Sequence, residues 1–140
     1  MVRALLDANV LISAAIRPKG PPGQIVTAYL TRQAFELVVS PAILAEVGRA
    51  FGLAKIRRLL REPDEALLWL GDLLAFADLV QDTGRVAGVC RDPDDDDVLS
   101  AAVEGRAAAI VTGDADLLTL GEYEGIAIVT PRAFLELIEE

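Results

Sequence analysis

Four acidic residues stand where a hydrolytic metal site would need them: Asp7, Glu46, Asp96 and Asp114. Asp7 follows the apolar run of residues 2–6, and Asp114 follows the apolar run of residues 107–111 by way of Thr112 and Gly113. Glu46 lies shortly after Ser40 and Pro41, and Asp96 belongs to the string DPDDDD that begins at Asp92. Ionised carboxylates that converge repel one another, so some must take up protons unless a cation neutralises them. Hard divalent cations such as Mg²⁺ or Mn²⁺ prefer oxygen ligands of this type. Such ions acidify water for attack on a phosphodiester, and a second ion about 4 Å away stabilises the leaving oxygen. The scheme needs neither histidine nor a protein nucleophile. The chain has no histidine and a single cysteine, Cys90. His-based triads, His general bases and most zinc sites are thereby removed.

Parallel sheets bind ligands beyond the carboxyl ends of their strands, so the strands decide whether these acids can meet. Residues 2–6, 35–39, 107–111 and 126–129 read as buried strands, and residues 79–80 as a short one. Between them lie helical stretches. Residues 10–16 and 24–32 flank a loop at 17–22. A helix begins at Pro41 with Ser40 as its cap. Residues 55–60 are basic and helical, residues 65–77 are amphipathic, and residues 84–91 form a loop or weak strand. Pro93 opens a helix through Glu104, and Pro131 starts the last. Alternation of this kind predicts an α/β fold, a three-layer α/β/α sandwich with a central parallel sheet. The 140 residues form one domain, 1–140, with no linker or repeat.

Helical phase separates the run of aspartates. Asp96 shares a face with Leu99 and Val103, and Asp95 with Val98 and Ala102, whereas Asp97 points with Glu104 toward solvent. Both Asp95 and Asp96 border the buried side, where an acid requires a partner or a metal. Complementing the helix macrodipole is the simpler role for the rest of the run. A calcium EF-hand is excluded, because a loop begun at Asp92 would put Asp97 at the obligatory glycine and Val103 at the bidentate glutamate.

The net charge is −9, from 13 basic and 22 acidic residues. Alone this disfavours a nucleic-acid partner, but bound divalent cations would invert the local field. Basic residues that could hold a phosphate backbone are Lys55, Arg57, Arg58 and Arg61, with Arg17 and Lys19 as a second group. The stretch 65–77 carries Leu67, Leu68, Trp69, Leu70, Leu73, Leu74 and Phe76, more apolar surface than one sheet face should use, and points to an interface. No apolar run approaches the roughly 20 residues of a membrane span. A lone thiol and the lack of a signal-peptide pattern are expected of a protein of the reducing cytoplasm.

Taken together, LLDANVL (5–11), SPAILAEV (40–47), DPDDDDVL (92–99) and VTGDADLL (111–118) resemble the four acidic motifs of PIN domains, in the form found in VapC-like toxins of toxin–antitoxin systems. The match covers nearly the whole chain, and its specificity lies in the order and spacing of the motifs. The resemblance implies a Mg²⁺- or Mn²⁺-dependent endoribonuclease. Its acidic quartet would be Asp7, Glu46, Asp96 and Asp114, with Asp116 as a further metal ligand. Asn9 and Thr112 would be supporting polar groups. The third motif is open in register, with Asp96 first and Asp95 second. A homodimer and an antitoxin partner are further implications. The alternative is a PIN-like RNA- or protein-binding module without activity. A phospho-acceptor module would want a lysine after a late strand, and Lys19 and Lys55 are both early. A haloacid-dehalogenase-type phosphatase would want a second Asp where Asn9 stands.

Overall fold

Strand β1 (Arg3–Leu6) is buried over its last three residues, as an apolar strand inside a parallel sheet must be. It pairs in parallel with β2 (Glu36–Val39) on one side and β4 (Ala109–Val111) on the other. The computed structural model describes residues 1–81 and 83–139. With β3 (Asp78–Leu79), β5 (Glu122–Tyr123) and β6 (Ile126–Val129), the sheet runs β3-β2-β1-β4-β6-β5.

The expected sandwich is the observed one, with a correction at one edge. β5 runs antiparallel to β6, whereas the other pairs are parallel. The reason is local. Glu124 and Gly125, which join the two strands, have φ of 47° and 82°, and a two-residue turn with both φ positive folds a hairpin.

Helices α1 (Ala8–Ile16) and α2 (Pro21–Arg32) connect β1 to β2. Then α3 (Pro41–Gly52), α4 (Ala54–Arg57), a 3-10 turn at Pro63–Glu65 and α5 (Ala66–Leu74) lead to β3. The stretch expected as one helix over 65–77 is therefore shorter at both ends. Glu65 belongs to the 3-10 turn, and Ala77 N–H bonds back to Leu74 O as the chain turns into β3. Helix α6 (Pro93–Glu104) leads to β4, α7 (Ala115–Leu120) to β5, and α8 (Pro131–Glu139) follows β6.

Helix α1 packs on α2 and α3, and α2 on α8. The chain leaves β1 toward β2 but reaches β4 on the opposite side of β1. With right-handed crossovers, that reversal puts α6 on the other face of the sheet. On the first face Phe35 meets Phe134 edge-on at 5.1 Å and Tyr29 at 5.3 Å. On the second, Leu99, Ala101 and Ala102 of α6 are fully buried. Arg3 ties the amino ends of the strands together, donating to Gly105 O at 2.6 and 2.9 Å and pairing with Glu36 and Asp78. Gly105 itself admits no side chain, because a Cβ there would stand 2.5 Å from Val38 Cγ1.

Candidate metal centre

The connections out of β1 and into β4 run in opposite directions, which makes the carboxyl ends of these two strands the switch point where open parallel sheets bind ligands. Leu6 pairs with Val111, so Asp7 and Thr112 are the next positions beyond the ladder. Asp7 N–H still donates to Val111 O at 3.0 Å, holding the two chain ends together. As the N-cap of α1, Asp7 accepts the Ala8 N–H at 2.8 Å on one oxygen. Its other oxygen accepts the Thr112 hydroxyl at 2.8 Å and the Asn9 amide at 3.3 Å. Asn9 Oδ1 in turn accepts the Gly113 N–H, and Thr112 Oγ1 accepts the Asp114 N–H at 3.0 Å. Asp114 caps α7 through the Leu117 N–H. Asp7, Asn9, Thr112 and Asp114 thus form one network, with Asp7 and Thr112 buried. Burial pushes the Asp7 carboxyl up, the Thr112 and Ala8 hydrogen bonds oppose this, and the Asp114 charge adds to it.

The structure places Asp95, not Asp96, beside this pair. Asp95 is half-buried, and its carboxyl is pushed up to about 7. Burial is the largest cause, followed by the Asp114 charge, a hydrogen bond shared with Asp114, and the charges of Asp92 and Asp7. Asp96 faces elsewhere. Its Oδ2 accepts the Gly88 N–H at 2.9 Å and its Oδ1 the Cys90 N–H at 2.8 Å. The Cys90 amide is the main cause that holds its carboxyl below the usual range. Asp96, the first choice for the third acid, thus spends both oxygens on backbone amides, and Asp95, the second choice, is the one that lies beside Asp114. Helical phase rightly put Asp96 inside, but the partner that burial demanded is backbone.

Glu46 stands on the open side of the row. Partial desolvation pushes its carboxyl up, then the charges of Asp7, Asp94 and Asp92, while Arg49 one turn on opposes them. Asp116 is exposed and pairs with Arg91 at 2.7 Å. Arg49 and Arg91, which flank the acids, were not singled out from the sequence. The available signals were an i+3 spacing from Glu46 and a position immediately before Asp92. Of the expected phosphate-binding residues, Arg57 pairs with Asp64 at 2.7 Å. Arg61 lines a groove of about 680 Å³ with Pro18, Leu30 and Trp69. Arg17 and Lys19 follow the far end of α1, a nine-residue helix that Asp7 caps at its near end.

The donor set fits a hard divalent cation. Apart from Thr112 and Asn9 it consists of carboxylates, and the shifts resolved for Asp7, Glu46 and Asp95 are all upward. Burial is the largest cause of each, and the charges of neighbouring carboxylates add to it, so a bound cation would relieve part of the shift. Among the described residues no three of these side chains close into a ready cage. Mg²⁺, which keeps several waters and takes only one or two protein carboxylates, suits such an open row.

A family model described as PIN domain matches residues 3–116. The uncharacterized protein MJ1680 of Methanocaldococcus jannaschii is 30% identical over 99% of this chain and 93% of its own length. Among solved structures, PAE2754 from Pyrobaculum aerophilum superposes with a TM-score of 0.67 at 22% identity, covering 99% of this chain and 90% of that one. VapBC2 from Rickettsia felis, bound to a DNA fragment from their promoter, superposes with a TM-score of 0.58 at 13% identity, covering 92% and 98%. At these identities the two structures speak for the fold.

Proposed function

This chain belongs to the PIN domain family, and from that premise we propose that it is a Mg²⁺- or Mn²⁺-dependent endoribonuclease, the toxin of a toxin–antitoxin pair. The observation that carries the reading is the Asp95–Asp114 carboxyl pair beside buried Asp7 at the sheet's switch point. Asp7, Asp95, Asp114 and Glu46 are the residues that would hold the ion. A divalent cation there supplies charge to the phosphodiester oxygens and acidifies water for attack.

The protein's own part is preorganisation. Thr112 and Asn9 leave Asp7 little freedom to rotate, and the Leu117 amide fixes Asp114. With its carboxyl pushed up to about 7, Asp95 is partly protonated near neutral pH without a cation, and loading the site would release that proton. Glu46, the most open of the four, would accept a proton from water on the substrate side. Asp116 serves at the rim rather than as an inner ligand while Arg91 holds it.

Two further features support a regulated dimer. Leu67, Leu68 and Phe76 are 64%, 70% and 85% exposed on α5 and the turn after it, which leaves an apolar face for a second copy. Likeness to VapBC2 and the net charge of −9 support a basic antitoxin segment as inhibitor. Among the described residues, no helix is long and apolar enough to cross a membrane.

Cleavage of single-stranded RNA with Mn²⁺, with and without EDTA, tests the reading. Metal binding without any cleavage would favour a PIN-like binding module instead.

A further inference from the structure

Residues 84–91 form no helix or strand, yet two side chains of α6 hold part of this segment firmly. Ser100, fully buried, accepts the Val86 N–H at 2.8 Å. One turn earlier, Asp96 takes the Gly88 and Cys90 amides on its two oxygens and is only 5% exposed. The segment these residues hold runs past the acid row, since the Cys90 thiol lies within electrostatic reach of Asp95 and Asp114. The next residue is Arg91. Its side chain is 86% exposed, and Nη2 lies 2.7 Å from Asp116 Oδ1, two residues beyond Asp114.

We infer that Asp96 is a positioning residue: it folds residues 88–90 onto α6 and so sets the Arg91 guanidinium at the rim of the acid row, where it takes an RNA phosphate in exchange for Asp116. The choice of RNA rests on the endoribonuclease reading above. A solvent-exposed ion pair is worth little, so Arg91 is readily given up by Asp116. A phosphate offers the guanidinium two parallel hydrogen bonds and a larger charge. Position favours Arg91 over Arg17 and Lys19, the second group of cations expected from the sequence. Arg17 and Lys19 lie beyond nine residues of α1, about 13 Å from Asp7 along the axis. Backbone amides spent on Asp96 also explain why a buried acid here need not face the metal row.

Fluorescence anisotropy of a labelled single-stranded RNA tests this. All variants carry Glu46→Gln, Mg²⁺ is present, and the probe is checked as uncut on a gel. Arg91→Ala is expected to weaken binding by about tenfold, and to reduce the salt slope by about 0.7, the share of one phosphate on a single strand. Arg91→Lys should recover part of both. Asp116→Asn should tighten binding, and the gain should shrink when Arg91→Ala is added. Ser100→Ala, which loosens the same segment without touching an acid, should shift binding in the direction of Arg91→Ala, and Asp96→Asn further. An unchanged salt slope in Arg91→Ala, or an equal Asp116→Asn gain with and without Arg91, overturns the inference and leaves the nuclease reading standing. A parent protein that binds Mg²⁺ but no RNA overturns both.

Discussion

The Thr112 hydroxyl donates to the Asp7 carboxylate at 2.8 Å and accepts the Asp114 N–H at 3.0 Å, so one buried side chain ties the acid that ends β1 to the acid that follows β4. Between neighbouring parallel strands this bond locks together two residues that are 105 apart in sequence. It lets the site inherit the rigidity of the sheet. Replacing the hydroxyl by an isosteric methyl takes the acceptor from the Asp114 N–H and leaves Asp7 Oδ2 with the longer Asn9 bond alone.

Thr112→Val is therefore expected to cost about 1–3 kcal/mol, the range for leaving buried polar groups unsatisfied. Thr112→Ser should cost less, because the hydroxyl is kept. Urea unfolding of the three proteins checks the ranking. Valine as stable as threonine would mean that the network does not matter.

Asp95 and Asp96 are neighbours with opposite environments, and their asparagine variants should differ in sign. Asp95→Asn removes a carboxyl that is crowded by Asp114 and Asp7, so the metal-free protein should keep or gain thermal stability while losing its response to Mn²⁺. Asp96→Asn puts an NH₂ group against amide donors and should lower the melting temperature with or without metal. Melting curves with and without Mn²⁺ distinguish the two. Equal responses would refute the assignment.

Much of the fold was legible because its strands are short apolar runs closed by turn chemistry. Pro93 and Glu104 bound α6 where the proline and the apolar phase put them. Asp7 and Asp114 lie beside each other because each ends or follows such a run, and strand ends are the most readable feature of a parallel sheet. Which of Asp95 and Asp96 lies beside Asp114 was not legible. Burial of Asp96 can be read from helical phase, but what satisfies it is a set of amides on residues 88–90, and an irregular segment leaves no periodic trace. β5 escaped notice for a similar reason. Two residues are too few for alternation, and its turn uses Glu124 in a left-handed conformation that the residue type does not advertise.

The metal-free protein should lose stability as pH rises from about 4 to 8. Asp95 has a folded-state value of about 7, and those of Asp7 and Glu46 are also raised. A raised carboxyl contributes stability that is complete below its unfolded value near 3.9 and is lost as pH rises through its folded value. Asp96, lowered instead, contributes stability that is present above that unfolded value and lost as pH falls through its folded value. Mn²⁺ should remove the upper limb of the profile and leave the acid limb in place. An upper limb unaffected by Mn²⁺ would separate the raised carboxyls from any metal site.

Leu68→Glu with Phe76→Glu should convert a dimer to a monomer without unfolding it, because both side chains are exposed in the single chain. Sedimentation velocity at micromolar concentration reads this directly. A wild-type monomer would leave the apolar face of α5 to another partner.

The most direct measurement is the cutting of a 5′-labelled single-stranded RNA by wild type, Asp7→Asn, Asp95→Asn and Asp114→Asn in Mn²⁺, each with an EDTA control. Wild-type cleavage that EDTA stops, with a loss of at least a hundredfold in each asparagine variant, is the predicted result, since each substitution removes about 3 kcal/mol or more of charge stabilisation. Wild-type cutting that survives EDTA, or an Asp95→Asn protein as active as wild type, would contradict the account.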